Sequence, residues 1–273
     1  MENKQTYTVL NNGIPMPLLG LGVYDVFGLA AERAVMHALD TGYRLIDTAM
    51  IYQNEREVGN GIRHSGVPRK EIFVTTKVWQ TDQGYDSTMR AFEPSRKKLN
   101  IEYIDLYLIH WPIKQTRKET WRALETLYKE KRMRAIGVSN YLLPFLEELE
   151  TYLTIMPAVN QVEFSPWLNL KSERQWCRQK NCVLQAYSPL VRGKKFNDPV
   201  VAKLAGKYGK TPAQIILRWN IQQGVSSIPK SANPKRIEEN FNIFDFILEE
   251  EDVQALDNLN ENFRVVEDPM ELL

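Results

Sequence analysis

Four residues have the types that acid–base chemistry at an oxygen atom needs: Asp47, Tyr52, Lys77 and His110. A free tyrosine titrates near pH ~10, too high to donate a proton efficiently at neutrality. An ammonium beside it, from Lys77, favours the phenolate and is expected to pull that value down. Asp47 would pair with Lys77 and keep it charged. His110 would orient a carbonyl oxygen beside the Tyr52 hydroxyl. Such a set protonates an oxygen without a metal, but it holds no hydride, so a reduction would need a cofactor.

A second group of residues suits that need. Ser139, Asn140 and Gln161 carry side chains that donate and accept, which matches a carboxamide. Tyr187 offers a flat face for a nicotinamide ring. The segment IPKSANPKRIEEN, residues 228 to 240, brings Lys230, Ser231 and Arg236 to a helix start. Ammonium, guanidinium and free backbone N–H groups together make an anion site. Two cations there favour a 2′-phosphate, hence NADP over NAD.

What positions these residues is an alternation of elements. Short β-branched runs fall at 18–24, 43–47, 72–77, 103–110, 133–139, 157–161, 182–187 and 225–230. Helix-like segments fall between them at 29–41, 54–64, 84–99, 117–130, 143–150, 171–180, 211–223 and 234–241. The segment at 211 opens on Thr211 and Pro212, an N-cap and first-turn signal, with Gly224 where a C-cap belongs. The acidic LEEEDVQAL run reads as a further helix start. Before the first repeat, Asn12-Gly13 carries a type I′ hairpin signal that would plug the base of a barrel.

Eight strands and eight helices in alternation imply parallel pairing through right-handed crossovers. No G-x-G-x-x-G follows the first strand, which weighs against a doubly wound dinucleotide fold. The reading is an α/β chain folded as one (β/α)8 TIM barrel over 1–273. In that fold catalytic side chains project from the C-terminal strand ends. Those ends are Tyr24, Asp47, Lys77, His110, Ser139-Asn140, Gln161, Tyr187-Ser188 and Lys230-Ser231. Any one polar terminus is ordinary, but eight in succession form a ring at one mouth.

The bulk properties agree. The chain has 273 residues, 35 Lys plus Arg against 34 Asp plus Glu, and a formal net charge of +1. That balance weighs against a general nucleic-acid surface. No run approaches the ~20 apolar residues that span a bilayer, and the N-terminal stretch lacks an apolar signal core. A cytoplasmic monomer acting on a small molecule is the expectation. Cys177 and Cys182 read as unpaired thiols.

The ordered segments together resemble the aldo-keto reductase family almost end to end. GYRLIDTAMIYQNEREVG, FVTTKVW and DLYLIHWP are similar to its catalytic segments. AIGVSNY, NQVEFSP, QAYSPL and IPKSANPKRIEEN are similar to its cofactor segments. The resemblance implies NADPH-dependent reduction of aldehydes and ketones. Within that scheme Asp47, Tyr52, Lys77 and His110 form a tetrad with Tyr52 as proton donor. It further implies cofactor contacts at Gly22, Val23, Ser139, Asn140, Gln161, Tyr187, Ser188 and Leu190. Lys230, Ser231, Arg236, Glu239 and Asn240 would surround the adenosine phosphate. The closest flavour is the small microbial branch, with glyoxal, methylglyoxal and diketogluconate reductases and protist prostaglandin F synthases.

Tyr24, Trp79, His110 and Trp111 would face the substrate. A short connection after His110 and a short tail after Phe263 predict an open pocket accepting small carbonyls, among them glyoxals, aromatic aldehydes and keto-sugars. Arg192, Lys194 and Lys195 read as solvated loop charges, while Trp167 suits a pocket rim and a loop cap equally. His37 and His64 read as structural. Two rivals stand beside this reading. A sugar-phosphate isomerase or aldolase barrel would normally need a Gly-rich phosphate loop, which QAYSPLVRG and IPKSANP do not supply. A non-catalytic nucleotide sensor would bind NADPH and barely turn over.

Overall fold

In the computed structural model, which describes residues 4 to 272, the chain begins with an antiparallel hairpin of β1 (Tyr7–Val9) and β2 (Pro15–Pro17). Eight strands follow in parallel: β3 (Leu21–Gly22), β4 (Leu45–Asp47), β5 (Phe73–Val78), β6 (Ile104–Ile109), β7 (Met133–Ser139), β8 (Val159–Glu163), β9 (Val183–Tyr187) and β10 (Ser226–Ser227). Their order in the sheet is their order in the chain. The first and last strands meet through parallel bridges Leu19 to Ser227 and Gly22 to Lys230, so the sheet closes into a barrel. Gly22 is required at that seam. A Cβ there would lie 2.8 Å from the Ile228 carbonyl oxygen.

The connecting helices are α1 (Gly28–Thr41), α2 (Glu55–His64), α3 (Tyr85–Leu99), α4 (Arg117–Lys129), α5 (Leu143–Glu150), α6 (Lys171–Gln179), α7 (Pro199–Tyr208), α8 (Pro212–Gln222), α9 (Pro234–Phe241) and α10 (Glu250–Asp257). All eight expected helices are present within a residue or so of their predicted bounds. The cap signals at α8 hold: Thr211 accepts from Gln214 N–H, and Gln214 answers with its own side chain. The α7 helix had no place in the sequence reading. It sits inside the β9–α8 connection, capped by Asp198. The acidic run does start a helix, α10, with Glu250, Glu251 and Asp252 in its first turn.

Period-two alternation divides the strands between two layers. Outward residues such as Ile46, Val74, Tyr107, Ile136 and Leu184 pack under the helices, with Trp121, Trp176 and Trp219 in the same buried layer. Inward residues Leu45, Phe73, Leu106, Leu108, Val159 and Val183 fill the lower barrel. Each large side chain so buried contributes roughly 1.5–3 kcal/mol. Leu10 and Met16 of the hairpin join that inner cluster, which makes the hairpin the plug expected of it.

Three expectations need correction. The hairpin turn is not type I′, because Gly13 alone has positive φ (+85°) while Leu10 and Ile14 pair across it. A three-residue loop with its last residue left-handed does the turning. β8 runs two residues past Gln161, to Glu163. β10 is only two residues long, so Lys230 stands beyond it and is reached by the isolated bridge from Gly22. Among the described residues no helix is long and apolar enough to cross a membrane.

Candidate active site

The same alternation that fills the lower barrel raises the reactive groups to its mouth. Asp47 lies two residues above Leu45, Lys77 four above Phe73, and His110 two above Leu108. All point inward from adjacent strands β4, β5 and β6 or their ends. Tyr52 comes from no strand. It ends a short 3₁₀ turn, Met50–Tyr52, which the left-handed Gln53 (φ 54°) terminates. Asn54 fixes that turn against the barrel. Its amide donates to the carbonyls of Val23 and Val26 (2.8 and 2.9 Å), and its oxygen accepts from Thr48 (2.6 Å).

The Lys77 ammonium donates to Asp47 Oδ1 at 2.6 Å and to the Thr48 carbonyl at 2.9 Å. It stands 5.1 Å from the centre of the Tyr52 ring. The Tyr52 and His110 rings meet edge-on with centroids 5.7 Å apart. Trp79 approaches His110 in the same way at 5.1 Å, and Tyr24 approaches Tyr52 at 5.2 Å. Four residues from three separate stretches of the chain thus share one corner of the mouth.

The titration of Tyr52 runs against expectation. Burial first, and the Asp47 carboxylate second, push its phenol well above the ordinary value. Burial and the Asp47 carboxylate outweigh the nearby Lys77 ammonium, which is bonded to Asp47 and Thr48. Burial also works against both members of the ion pair, raising Asp47 and lowering Lys77, and their 2.6 Å contact opposes it. Burial and then the Lys77 charge hold His110 well below the usual imidazole range, which leaves it neutral. Both Tyr52 and a neutral His110 can therefore donate a hydrogen bond.

Asp47, Tyr52 and His110 line a cavity of about 870 Å³, with Lys77 buried behind them. Beside the tetrad lies a buried amide cluster. Asn140 donates to the His110 carbonyl (2.9 Å) and accepts from the Tyr187 hydroxyl (2.7 Å), while Ser139 lies at its side. Gln161 donates to Asp47 Oδ2 (2.7 Å) and to Gln185 Oε1 (2.7 Å). Gly22, Tyr24, Trp79, Trp111, Ser188, Leu190 and Lys230 complete the expected set at the walls.

Other expected residues lie away from the walls. Val23 is buried, with its carbonyl taken by Asn54. Ser231 forms a small turn with Asn233, and the exposed Arg236 sits in the first turn of α9. Glu239 accepts from Thr211, and Asn240 is buried on the same helix.

The short tail forms part of the cavity wall. Val265, Val266 and Glu267 line the cavity. Glu163, at the end of β8, accepts from the N–H groups of Val265 (2.6 Å) and Val266 (3.2 Å), and so hangs the tail on the barrel. Upstream, Glu261 and Phe263 donate backbone N–H to the Trp167 carbonyl at 3.1 and 3.0 Å. The Trp167 indole donates to Asp198, so this residue is a buried hub and not a pocket rim. Lys195 is not a free loop charge either. It pairs with Glu261 and stands 4.7 Å over the Phe263 ring. Arg192 lines the cavity, and Lys194 remains exposed.

Phe27, Ile51 and these tail residues were missed because reading strand ends finds polar termini and passes over apolar loop positions. Cys177 and Cys182 are buried free thiols at the C-terminal end of α6, where Cys182 N–H closes onto the Cys177 carbonyl at 2.9 Å. His37 and His64 pair with Glu238 and Glu32 on the surface.

Residues 29–261 match the profile of the aldo/keto reductase family. The chain belongs to that family. This aldo/keto reductase is 52% identical over 264 residues to a 9,11-endoperoxide prostaglandin H2 reductase of Trypanosoma cruzi, covering 95% of this chain and 93% of that one. It is 51% identical to a glyoxal reductase of Bacillus subtilis, covering 97% and 96%. Its fold superposes on an aldo-keto reductase from a deep-sea metagenome library with a TM-score of 0.93, at 45% identity over 96% of this chain and 97% of that one. An aldo-keto reductase of Bombyx mori in complex with NADP superposes with a TM-score of 0.91, at 35% identity, covering 97% and 95%.

Proposed function

We propose that this aldo/keto reductase reduces small aldehydes and ketones, with Tyr52 as the proton donor and NADPH as the reductant. The carrying observation is that a half-buried phenol, a neutral imidazole and a Lys–Asp pair meet at one corner of a cavity that also holds an amide cluster. The residues suit a nicotinamide cofactor on their own chemistry. Ser139, Asn140 and Gln161 can meet a carboxamide, and Tyr187 stands beside them with a flat ring. Lys230 and Arg236 would hold the 2′-phosphate. When bound, this cofactor supplies the hydride.

The protein's own groups do the rest. His110, neutral, donates a hydrogen bond to the substrate carbonyl oxygen and orients it. Tyr52 donates its proton to that oxygen as negative charge builds there. Lys77, held by Asp47 and Thr48, places a fixed positive charge near the phenol and stabilises the phenolate left behind. The Asp47 carboxylate keeps that ammonium in position. Tyr24, Trp79, Trp111, Val265 and Val266 give the substrate an apolar wall.

The relative named a glyoxal reductase favours small carbonyls as the substrate class. NADPH oxidation measured against glyoxals, aromatic aldehydes and keto-sugars reads the substrate class. The decisive variant is Tyr52→Phe. It should keep NADPH affinity and lose about 10²- to 10⁴-fold in kcat, the scale of a general acid. Parent-rate turnover by Tyr52→Phe would remove Tyr52 from the role. Binding of NADPH by the parent chain without any aldehyde turnover would instead favour a nucleotide sensor.

A further inference from the structure

The end of the barrel opposite the active site carries a second cavity, of about 250 Å³. It opens at the N-terminal ends of β9 and β10, where Cys182 and Val225 precede the strands, and Thr8 and Val9 of β1 form one side. Arg174 and Arg178, one turn apart on α6, both line it. No acidic residue does. Among the described residues neither guanidinium has a carboxylate at ion-pair distance, whereas Arg69 and Arg134, also at this end of the barrel, are both paired with Asp105.

Arg174 is half-buried and held in place without a counter-charge. Its guanidinium lies 5.6 Å from the centre of the Phe164 ring and donates to the Gln223 side-chain oxygen. Gln223 presents that oxygen because its amide nitrogen donates to Asp257 at 2.8 Å. Asp257 also accepts from Trp219 at 3.0 Å, so the carboxylate is met by neutral donors and reaches Arg174 only through Gln223. Burial works against the Arg174 charge, with Asp257 supporting it and Arg178 opposing it. A half-buried cation bonded to a neutral oxygen, beside a second cation, keeps charge and N–H donors to offer.

Neutral donors stand around the pair. Asn181, left-handed at φ 52°, and Thr8 make no side-chain hydrogen bond among the described residues. Buried Cys177, Cys182 and Val225 give the cavity an apolar floor, over which a charge-assisted bond is stronger than in open water.

We infer that this cleft is a second ligand site, which takes a small multivalent oxyanion, a phosphoryl group or a polycarboxylate, between Arg174, Arg178, Asn181 and Thr8. The planar guanidinium fork matches both oxyanions. The cavity is smaller than the roughly 300 Å³ at which sites for drug-sized ligands begin, so a dinucleotide does not fit. A bound oxyanion would tie β1 of the hairpin to α6.

Isothermal titration calorimetry with sodium phosphate and with sodium citrate, at an ionic strength held constant with sodium chloride, reads the site without any turnover. The parent should bind at least one of them saturably, and the tighter one names the oxyanion class. Arg178→Met alters an exposed side chain and should weaken that binding about tenfold or more, the scale of a charge-assisted hydrogen bond. Asn181→Asp, which adds a negative charge at the rim, should also weaken it. Arg174→Met should match Arg178→Met, and if it fails to fold the two exposed variants decide. A protein with both Lys230 and Arg236 replaced by Met should bind as the parent does. Absence of saturable binding by the parent would overturn the inference. So would binding unchanged in Arg178→Met and Asn181→Asp, or binding lost on replacing Lys230 and Arg236, since the anion would then sit at the active-site mouth.

Discussion

Two buried aspartates, one near each end of the barrel, show how this fold separates holding from acting. Asp105, near the start of β6, meets Arg69 at 2.6 Å, Arg134 at 2.7 Å and the backbone N–H of Val74 at 2.9 Å. Its two arginines remain 20% and 34% exposed, so their charges keep part of their hydration. Asp47, at the end of β4, has one cation, Lys77, which is itself 0% exposed, and one amide, Gln161. The first arrangement satisfies a carboxylate with charges that water still supports. The second takes both charges out of water and sets them against a cavity. Buried pairs of that kind cost desolvation and add little net stability. Their presence at the mouth is explained by what they do to Tyr52 and His110.

That contrast can be broken by experiment. The largest effect is expected from Lys77→Met, which leaves Asp47 buried without its cation. It should remove nearly all reduction and destabilise the fold by about 3–5 kcal/mol, unless Asp47 takes up a proton. Asp105→Ala should also destabilise by several kcal/mol, since it strands the Val74 N–H and two arginines, while kcat per folded molecule stays near the parent value. Denaturant melts with matched activity assays read both. Equal losses of kcat in the two variants would erase the distinction between the two ends.

Cofactor choice is the next largest. Replacing both Lys230 and Arg236 by Met should weaken NADPH by about 10- to 100-fold and NADH far less, on the scale of lost charge-assisted hydrogen bonds. An equal loss for the two cofactors would count against a 2′-phosphate site.

A pH effect of middle size follows from His110. Its folded value lies well below the ordinary imidazole range through burial and the Lys77 charge. Below about pH 6.5 the unfolded chain therefore binds a proton that the folded chain refuses, so stability should fall as the pH drops through that range. His110→Asn should soften that acid limb in a pH series of melts. On the alkaline side the raised Tyr52 phenol keeps its proton through the range where a free tyrosine loses one.

The smallest effect is expected at Glu163→Gln, which keeps one acceptor for two tail N–H groups. KM for apolar aldehydes should rise a few-fold while NADPH affinity holds. An unchanged KM would mean that the tail contributes nothing to substrate binding.

The sequence carried the alternation of elements, and with it the barrel, because apolar period and cap chemistry are local properties. Thr211, Pro212 and Gly224 bounded α8 by composition alone. The ring of polar strand ends was equally legible, since each residue sits at a fixed place relative to an apolar run. Tyr52 could be named from its motif. Its placement beside Lys77 depends on Asn54 clamping a turn to Val23 and Val26, a contact between separate elements. The direction of the Tyr52 shift was misread for a related reason. A sequence places the lysine nearby, but only packing shows that its ammonium is bonded to Asp47 and Thr48 and that burial dominates. Trp167 became a hub, Lys195 a latch and the short tail a wall because Glu163, Trp167 and Phe263 meet across the fold. Local pattern thus determined which elements form and which groups stand at their ends. Tertiary structure alone decided which of those groups touch, since hydrogen-bond partners and desolvation depend on chain segments far apart in sequence.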